Sequence, residues 1–114
     1  MNVSFACKIF PLDQVLRCTF GLSRAELVAL KELLKTDEST VEELAARLKK
    51  DRTTVQRALA SMTHAGLVRR RQYNLSGGGY QYAYSSLPKE EIKRRVEEHF
   101  VHFSAMIRKE IERW

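Results

Sequence analysis

Three helix-starting signals, close together in the chain, constrain its fold more than any other feature. Ser23 and Thr40 are each followed by a Glu at the third helical position, which is the capping-box pattern, and Asp51 is a suitable N-cap. Because Asp51 lies only eleven residues after Thr40, the helix between them must be short and must end in a tight turn at Lys49 and Lys50. The sequence therefore predicts three consecutive helices, the last two forming a helix-turn-helix.

Apolar residues recur at helical spacing in each of these segments and predict one buried face per helix. Ala45 provides the small side chain needed where the two helices of the motif cross. Gly66 fits the left-handed position that ends the third helix, which is predicted over residues 52–65. The predicted core positions are Leu27, Leu30, Leu33, Leu34, Val41, Leu44, Leu48, Val55, Leu59 and Met62.

A β-hairpin is predicted directly after the third helix. Residues 67–73 and 80–87 have the composition of strands, and residues 74–79 between them include three glycines. Tyr80, Tyr82 and Tyr84 recur with a period of two, so this face of the second strand is expected to pack on the core. Tyr73 and Tyr80 lie nearest the tip, where contact with a partner is expected.

The excess positive charge of the chain is confined to the helix-turn-helix and the hairpin. Residues 47–87 contain eight basic residues and one acid, so this window carries +7, while the chain as a whole carries +6 and the remainder therefore −1. The sequence pI of about 9.6 is typical of nucleic-acid-binding domains. Basic residues that neutralise phosphates release counterions, and this release supplies most non-specific affinity for DNA.

The third helix exposes side chains that can hydrogen-bond to base edges. Arginine pairs with guanine, glutamine with adenine, and threonine with several bases, while arginines of a hairpin can enter a narrow minor groove. We expect Gln56 and Arg57 to read bases. The predicted DNA-binding residues are Thr40, Lys49, Lys50, Arg52, Thr53, Thr54, Gln56, Arg57, Arg69, Arg70, Arg71 and Tyr73.

Residues 40–45, 51–59 and 65–68 resemble the winged helix-turn-helix of prokaryotic MarR-like and TrmB-like transcriptional regulators. The resemblance covers Ser23 to about Leu87 and implies a mainly α fold with a small β-hairpin (α+β). It also implies that helix 52–65 enters the major groove and that the wing, residues 67–87, contacts the backbone or the minor groove. Regulators of this kind often have Gly followed by an apolar residue in the turn, where this chain has two lysines.

The chain is predicted to form a single domain, 1–114. Its two ends are predicted to form the interface with a second copy of the chain. Residues 1–22 are interpreted as a helical segment and residues 88–114 as the dimerisation segment, in which Lys89–Trp114 form one helix of about 26 residues, roughly 39 Å long. This helix is longer than the core of so small a domain, so its apolar stripe is expected to pack on a second subunit. The predicted interface residues are Val96, Phe100, Phe103, Ile107, Ile111 and Trp114.

Other functional classes receive little support from the sequence. No nucleophile–base pair, phosphate-binding loop or carboxylate pair is visible, so we expect no catalytic residue, no cofactor and no enzyme. His99 and His102 are spaced to chelate a metal, but no third ligand accompanies them, and interface or solvent positions are expected instead. Cys7 and Cys18 are too few for a disulfide scaffold and are expected to be partly buried thiols, with a redox pair as the alternative.

The sequence thus predicts a homodimeric, sequence-specific DNA-binding transcriptional regulator. We expect it in the cytoplasm and not at a membrane, since no apolar run reaches the ~18 residues of a transmembrane helix and no secretory leader is visible. The alternative is a winged helix used for protein interaction in the transcription or RNA machinery. Such a module would expose apolar residues on its third helix. No effector or operator is indicated by the sequence.

Overall fold

The computed structural model describes the whole chain, Met1–Trp114. The fold is mainly α-helical with a small β part, as predicted. Its elements in chain order are β1 (Asn2–Ser4), β2 (Ile9–Pro11), α1 (Leu12–Phe20), α2 (Arg24–Leu33), α3 (Val41–Leu48), α4 (Arg52–His64), β3 (Val68–Asn74), β4 (Tyr80–Ser86) and α5 (Lys89–Arg113).

Helices α2, α3 and α4 begin where the capping signals indicate. The Ser23 hydroxyl accepts from the Glu26 N–H, and the Ser23 N–H donates to the Glu26 carboxylate, both at 3.1 Å. Thr40 and Glu43 exchange the same two bonds, again at 3.1 Å. Asp51 caps α4 with its carboxylate. Because each cap uses residues adjacent in the chain, these helix starts are fixed locally.

The core lies between α2, α3, α4 and the β3–β4 hairpin. The buried face of α4 packs against α2 and α3, and the start of β3 closes the core from the other side. All but two of the predicted core positions are buried; Leu34 and Leu48 are partly exposed at its edge. The most deeply buried apolar side chains are Leu33, Leu44, Leu59, Met62, Leu67 and Val68.

An isolated β-bridge at Ser39 joins the β3–β4 hairpin to the loop between α2 and α3. Ser39 and Tyr84 exchange two backbone hydrogen bonds, at 2.8 and 2.7 Å. The Ser39 side chain is also buried and accepts a hydrogen bond from Arg47 at 2.7 Å. Of the tyrosines predicted to face the core, Tyr84 is buried and Tyr82 half-buried, but Tyr80 is exposed because the hairpin extends beyond the helices.

The N-terminal segment 1–22 is helical only in its second half. Strands β1 and β2 form an antiparallel hairpin, whose turn is closed by the Phe5 N–H donating to the Lys8 carbonyl at 2.7 Å. The prediction of a helical segment is therefore wrong for the part that precedes α1. Three-residue strands are too short to show an alternating pattern. Pro11 ends β2 and is the N-cap of α1.

Helix α5 leaves the body of the domain. Ile92 is buried and Val96 is half-buried, but every residue from Glu97 onward is exposed. The molecule consequently extends 65 Å along its longest axis, against 24 and 22 Å across. The single long helix predicted from the sequence is confirmed, and its apolar stripe beyond Val96 has no partner within the chain.

Lys49 occupies the left-handed region at the turn between α3 and α4. Its φ and ψ are 55° and 44°, and it is the single non-glycine residue with a positive φ. The Lys49 N–H faces the Ala46 carbonyl at 3.4 Å, and the Lys50 N–H donates to the Ala45 carbonyl at 3.1 Å. This is the geometry of a Schellman C-cap, in which glycine is usual because a Cβ is disfavoured at positive φ.

We expect Lys49→Gly to stabilise the fold by about 1 kcal/mol, since glycine adopts this conformation without a Cβ penalty. The free energy of unfolding in urea, at one fixed protein concentration, measures the change. Lys50→Gly removes the same charge at the next position, which has no positive φ, and should give no gain. Equal effects of the two substitutions would contradict the assignment of strain to Lys49.

Candidate nucleic-acid interface

Helix α4 presents a polar face to solvent on the side opposite the core. With about 100° between successive residues, Thr53, Arg57, Ala60 and His64 lie in the middle of this face, with Gln56 next to them. All five are exposed. The face thus offers hydroxyl, amide, guanidinium and imidazole groups around a small central side chain, which suits close approach to a groove.

Ala60 and His64 are the members of this face that the sequence analysis missed. Their signal was present, since they follow Gln56 and Arg57 by four and seven residues, which is helical spacing. They were overlooked because alanine has no hydrogen-bonding group and because His64 lies in the last turn of α4.

Arg52, one of the predicted DNA-binding residues, is held by two neighbours. Its Nε donates to Glu42 Oε1 at 2.8 Å, and its Nη1 donates to Gln56 Oε1, also at 2.8 Å. The hydrogen bond from Arg52 is the main cause that lowers the pKa of the Glu42 carboxyl. Sequence reasoning missed Glu42 because it lies on α3, and only the packing of α3 on α4 brings it to Arg52.

Thr40 and Thr54 contribute to helix caps. The Thr40 hydroxyl accepts from the Glu43 N–H, while the Thr54 hydroxyl donates to Asp51 Oδ1 at 2.5 Å. That hydroxyl bond is the first cause of the lowered pKa of Asp51. Both threonines therefore orient the ends of the motif helices, in addition to any role at DNA.

Six of the eight basic residues in the window 47–87 form no salt bridge. The two exceptions are Arg52, paired with Glu42, and Arg47, whose Nε lies 3.3 Å from a Glu32 carboxylate oxygen. The charge available to a polyanion is thus smaller than the sequence count implies, but all of it is exposed. The six are Lys49, Lys50, Arg57, Arg69, Arg70 and Arg71.

The three arginines of β3 are not equivalent. Arg70 lies opposite Tyr84 in the ladder and shares its face, so Arg69 and Arg71 point to the other face. The Arg70 guanidinium carbon lies 4.1 Å from the centroid of the Tyr82 ring, a cation–π contact. Arg70 therefore packs along the hairpin, whereas Arg69 and Arg71 lie on the side away from that tyrosine face.

Tyr73, the remaining predicted site residue, joins the wing to the loop before α3. Its hydroxyl donates a hydrogen bond to the Glu38 carboxylate, and this bond is the main cause that raises the pKa of the Tyr73 phenol. The Arg71 guanidinium carbon lies 4.9 Å from the centroid of the Tyr73 ring. Glu38 was not anticipated from the sequence, because it lies 35 residues from Tyr73.

The remaining candidate groups form no second site. No three His, Cys, Asp or Glu side chains are arranged to hold a metal ion. Cys7 and Cys18 are both exposed, so the expectation of partly buried thiols is wrong: Cys7 lies in the turn of the β1–β2 hairpin and Cys18 on the outer side of α1. None of the helices combines the length and the apolar character that crossing a membrane requires.

Comparison with known proteins matches this arrangement to regulators. A family model described as "Sugar-specific transcriptional regulator TrmB" matches residues 16–90. Protein MJ1503 of Methanocaldococcus jannaschii is 34% identical over 108 residues, which span 95% of this chain and 74% of that protein.

Two solved structures extend the comparison to the fold. One, described as a possible transcriptional regulator from Methanosarcina mazei Go1, has a TM-score of 0.91 and 29% identity, and the match covers 100% of this chain and 97% of that chain. Another, described as a transcriptional regulator of the MarR family from Enterococcus faecalis V583, has a TM-score of 0.57 at 18% identity, with 88% of each chain covered. The second likeness concerns the fold alone.

The Glu38 contact predicts a specific titration of Tyr73. A phenol that donates to a carboxylate is stabilised in its protonated form, so Tyr73 should ionise at higher pH in the native chain than in a Glu38→Ala variant. NMR of chain labelled at the tyrosine Cζ follows each ring separately, and Tyr73→Phe assigns the signal. An identical midpoint in the native chain and the Glu38→Ala variant would contradict the contact.

Proposed function

This chain belongs to the TrmB family of DNA-binding transcriptional regulators, and we propose that two copies of it together bind a specific duplex DNA site. The observation that carries the proposal is the polar face of α4, flanked by the unpaired cations of the turn and the wing. An interaction module would present apolar side chains there. The proposal includes no catalytic step, and it places the protein in the cytoplasm with its DNA.

The proposed mode of binding puts α4 in the major groove. A groove about 12 Å wide admits one α-helix, and its base edges carry a distinct donor and acceptor pattern for each pair. Thr53, Gln56 and Arg57 lie on the face that would meet those edges. Lys49 and Lys50, exposed at the turn before α4, would then meet phosphates on one side.

The wing is proposed to contact the DNA backbone or the adjacent minor groove. Arg69 and Arg71 are exposed, unpaired and on one face of β3. The Ser39–Tyr84 bridge and the Tyr73–Glu38 bond attach the hairpin to the loop that precedes α3. These contacts support the proposal that the wing already has a fixed position relative to the helix-turn-helix in the free protein.

The dimer is supported by the stripe along the outer part of α5. Monomeric proteins rarely expose a continuous apolar patch of this length, and a helix without tertiary contacts is only marginally stable in water. A second copy of α5 would cover the stripe. Each side chain of the stripe is exposed by 41% or more, and Trp114 is fully exposed. The members of the stripe are Phe100, Phe103, Ile107, Ile111 and Trp114.

The N-terminal hairpin is proposed to complete the same interface. Val3, Phe5 and Ile9 are exposed by 43%, 61% and 59% on this hairpin. Helix α1, which follows it, contacts α5, and this contact supports a position of the hairpin near the proposed interface. Two-fold pairing of α5 would then present two α4 helices to half-sites roughly one turn of DNA, or ~34 Å, apart.

Removal of the wing arginines should weaken the dependence of DNA affinity on salt. In the triple variant Arg69→Ala, Arg70→Ala, Arg71→Ala, the slope of log affinity against log salt should fall by up to about 0.9 for each phosphate that the wing no longer neutralises. Gel shifts on duplex DNA at several salt concentrations measure the slope. Circular dichroism checks that the fold stays intact without the cation–π pair of Arg70 and Tyr82.

A control for net charge is available on α2 and in the loop directly after it. The variant Arg24→Ala, Lys31→Ala, Lys35→Ala removes three positive charges outside the helix-turn-helix and the wing. Its slope should stay close to that of the native chain. If both triple variants change the slope equally, or neither changes it, the wing does not contact DNA. A native chain that binds no duplex DNA would favour the interaction-module alternative.

Phe103→Glu should dissociate the dimer, because it buries a carboxylate against its symmetry mate in the middle of the stripe. The cost of burying such unpaired charges is about 3 kcal/mol or more, which raises the dissociation constant more than about a hundredfold. Light scattering measures the mass. Specific DNA affinity should fall with it, while circular dichroism retains the helices of the domain.

Val101→Glu is the matched control, since Val101 is 72% exposed and lies on the opposite side of α5 from the stripe. This variant should remain dimeric. A native chain that is monomeric at tens of micromolar would refute the dimer, and dissociation by both substitutions would show that the stripe is not the interface.

A further inference from the structure

On the exposed side of the helix-turn-helix, Arg52 donates hydrogen bonds to both Glu42 and Gln56. This arrangement determines which atoms of Gln56 remain available to an external partner. Arginine donates hydrogen bonds and accepts none, so the Gln56 amide must turn its carbonyl oxygen towards Arg52 Nη1. The two N–H bonds of the Gln56 amide nitrogen are left for an external partner. Gln56 is exposed, so this donor group faces solvent in the free protein.

Arg52 itself is fixed by the carboxylate of Glu42. The Arg52 Nε–Glu42 Oε1 and Arg52 Nη1–Gln56 Oε1 distances are both 2.8 Å, so one guanidinium bridges a carboxylate on α3 and an amide on α4. In water such an exposed pair contributes little to stability. When DNA covers it, the lower dielectric strengthens the pair, and release of Arg52 would leave the Glu42 charge facing phosphates.

A base edge that matches two donors must offer two acceptors. Guanine presents N7 and O6 in the major groove, both acceptors, whereas adenine presents the acceptor N7 and the donor N6 amino group. A glutamine that pairs with adenine needs its oxygen free for that amino group. In Gln56 one lone pair of the oxygen already accepts from Arg52, and this bond turns the oxygen towards Arg52, at the edge of the α4 face.

We propose that Glu42, acting through Arg52, turns the amide nitrogen of Gln56 towards the DNA, so that Gln56 selects guanine rather than adenine. Glu42 is a positioning residue in this arrangement and Gln56 is the residue that reads the base. The inference rests on the proposed function, in which α4 lies in the major groove, and it replaces the glutamine–adenine pairing expected of an unconstrained side chain.

Selection from a pool of random duplexes, followed by sequencing, tests the inference with the full chain. In the native protein, one position per half-site should prefer guanine over adenine by about fivefold or more. Gln56→Ala should abolish that preference. Glu42→Ala should reduce or reverse it at the same position, because the freed amide can then turn its oxygen to the adenine amino group, while preferences at the other positions remain.

Arg52→Lys provides a second variant with the charge retained. The lysine ammonium is a compact charge that lacks the planar fork of the guanidinium, so it cannot bridge Glu42 and Gln56 in the same way. The same position of the DNA site should therefore lose its guanine preference. Glu90→Ala is the charge-matched control for Glu42→Ala, since Glu90 pairs with Lys93 on α5, away from α4. It should leave every base preference unchanged.

The outcomes separate this inference from the proposed function. If Glu42→Ala and Arg52→Lys alter overall affinity but no base preference, or if the Gln56-dependent position of the native protein selects adenine, the positioning role is overturned and the DNA-binding function stands. If the native protein enriches no sequence at all, the proposed specific binding fails, and the inference fails with it.

Discussion

The packing of α3 against α4 is the contact on which the helix-turn-helix depends, because it sets the position of Glu42 relative to Arg52. Leu44 and Leu59 are completely buried, and Ala45 is small enough for the two helices to approach closely. Because protein interiors are densely packed and resist deformation, the angle between α3 and α4 has little freedom. The separation of Glu42 from Arg52 is therefore set by the packing of buried apolar side chains.

Local signals in the sequence were sufficient for most of the fold. The caps at Ser23, Thr40 and Asp51 are made by residues within three positions of one another, so they are visible before any tertiary structure exists. The glycine-rich turn and the long stripe of α5 are equally local. The N-terminal hairpin was not visible, because each strand has three residues and its pairing depends on a turn without Gly or Asn.

The sequence predicted which residues of the candidate interface are exposed, but not which side chains are in contact with one another. Helical spacing identified Thr53, Gln56 and Arg57 as exposed, since exposure follows from the position of the apolar residues. The carboxylates Glu38 and Glu42 were missed because their partners lie on other elements, and no sequence pattern encodes contact between elements. Both acids connect separate elements of the candidate interface, since Glu42 on α3 bonds to Arg52 on α4 and Glu38 bonds to Tyr73 of the wing.

If the apolar stripe on α5 joins two subunits as proposed, it has a consequence for the response of a promoter to gene dosage. When subunits are scarce and mostly unpaired, two of them must meet for every occupied site, so occupancy rises with about the square of the subunit concentration. A twofold increase in synthesis then gives about a fourfold increase in occupied sites. In the proposed dimer, a chain with one helix-turn-helix thereby responds more steeply than a monomeric DNA-binding domain, whose occupancy rises in proportion to its concentration.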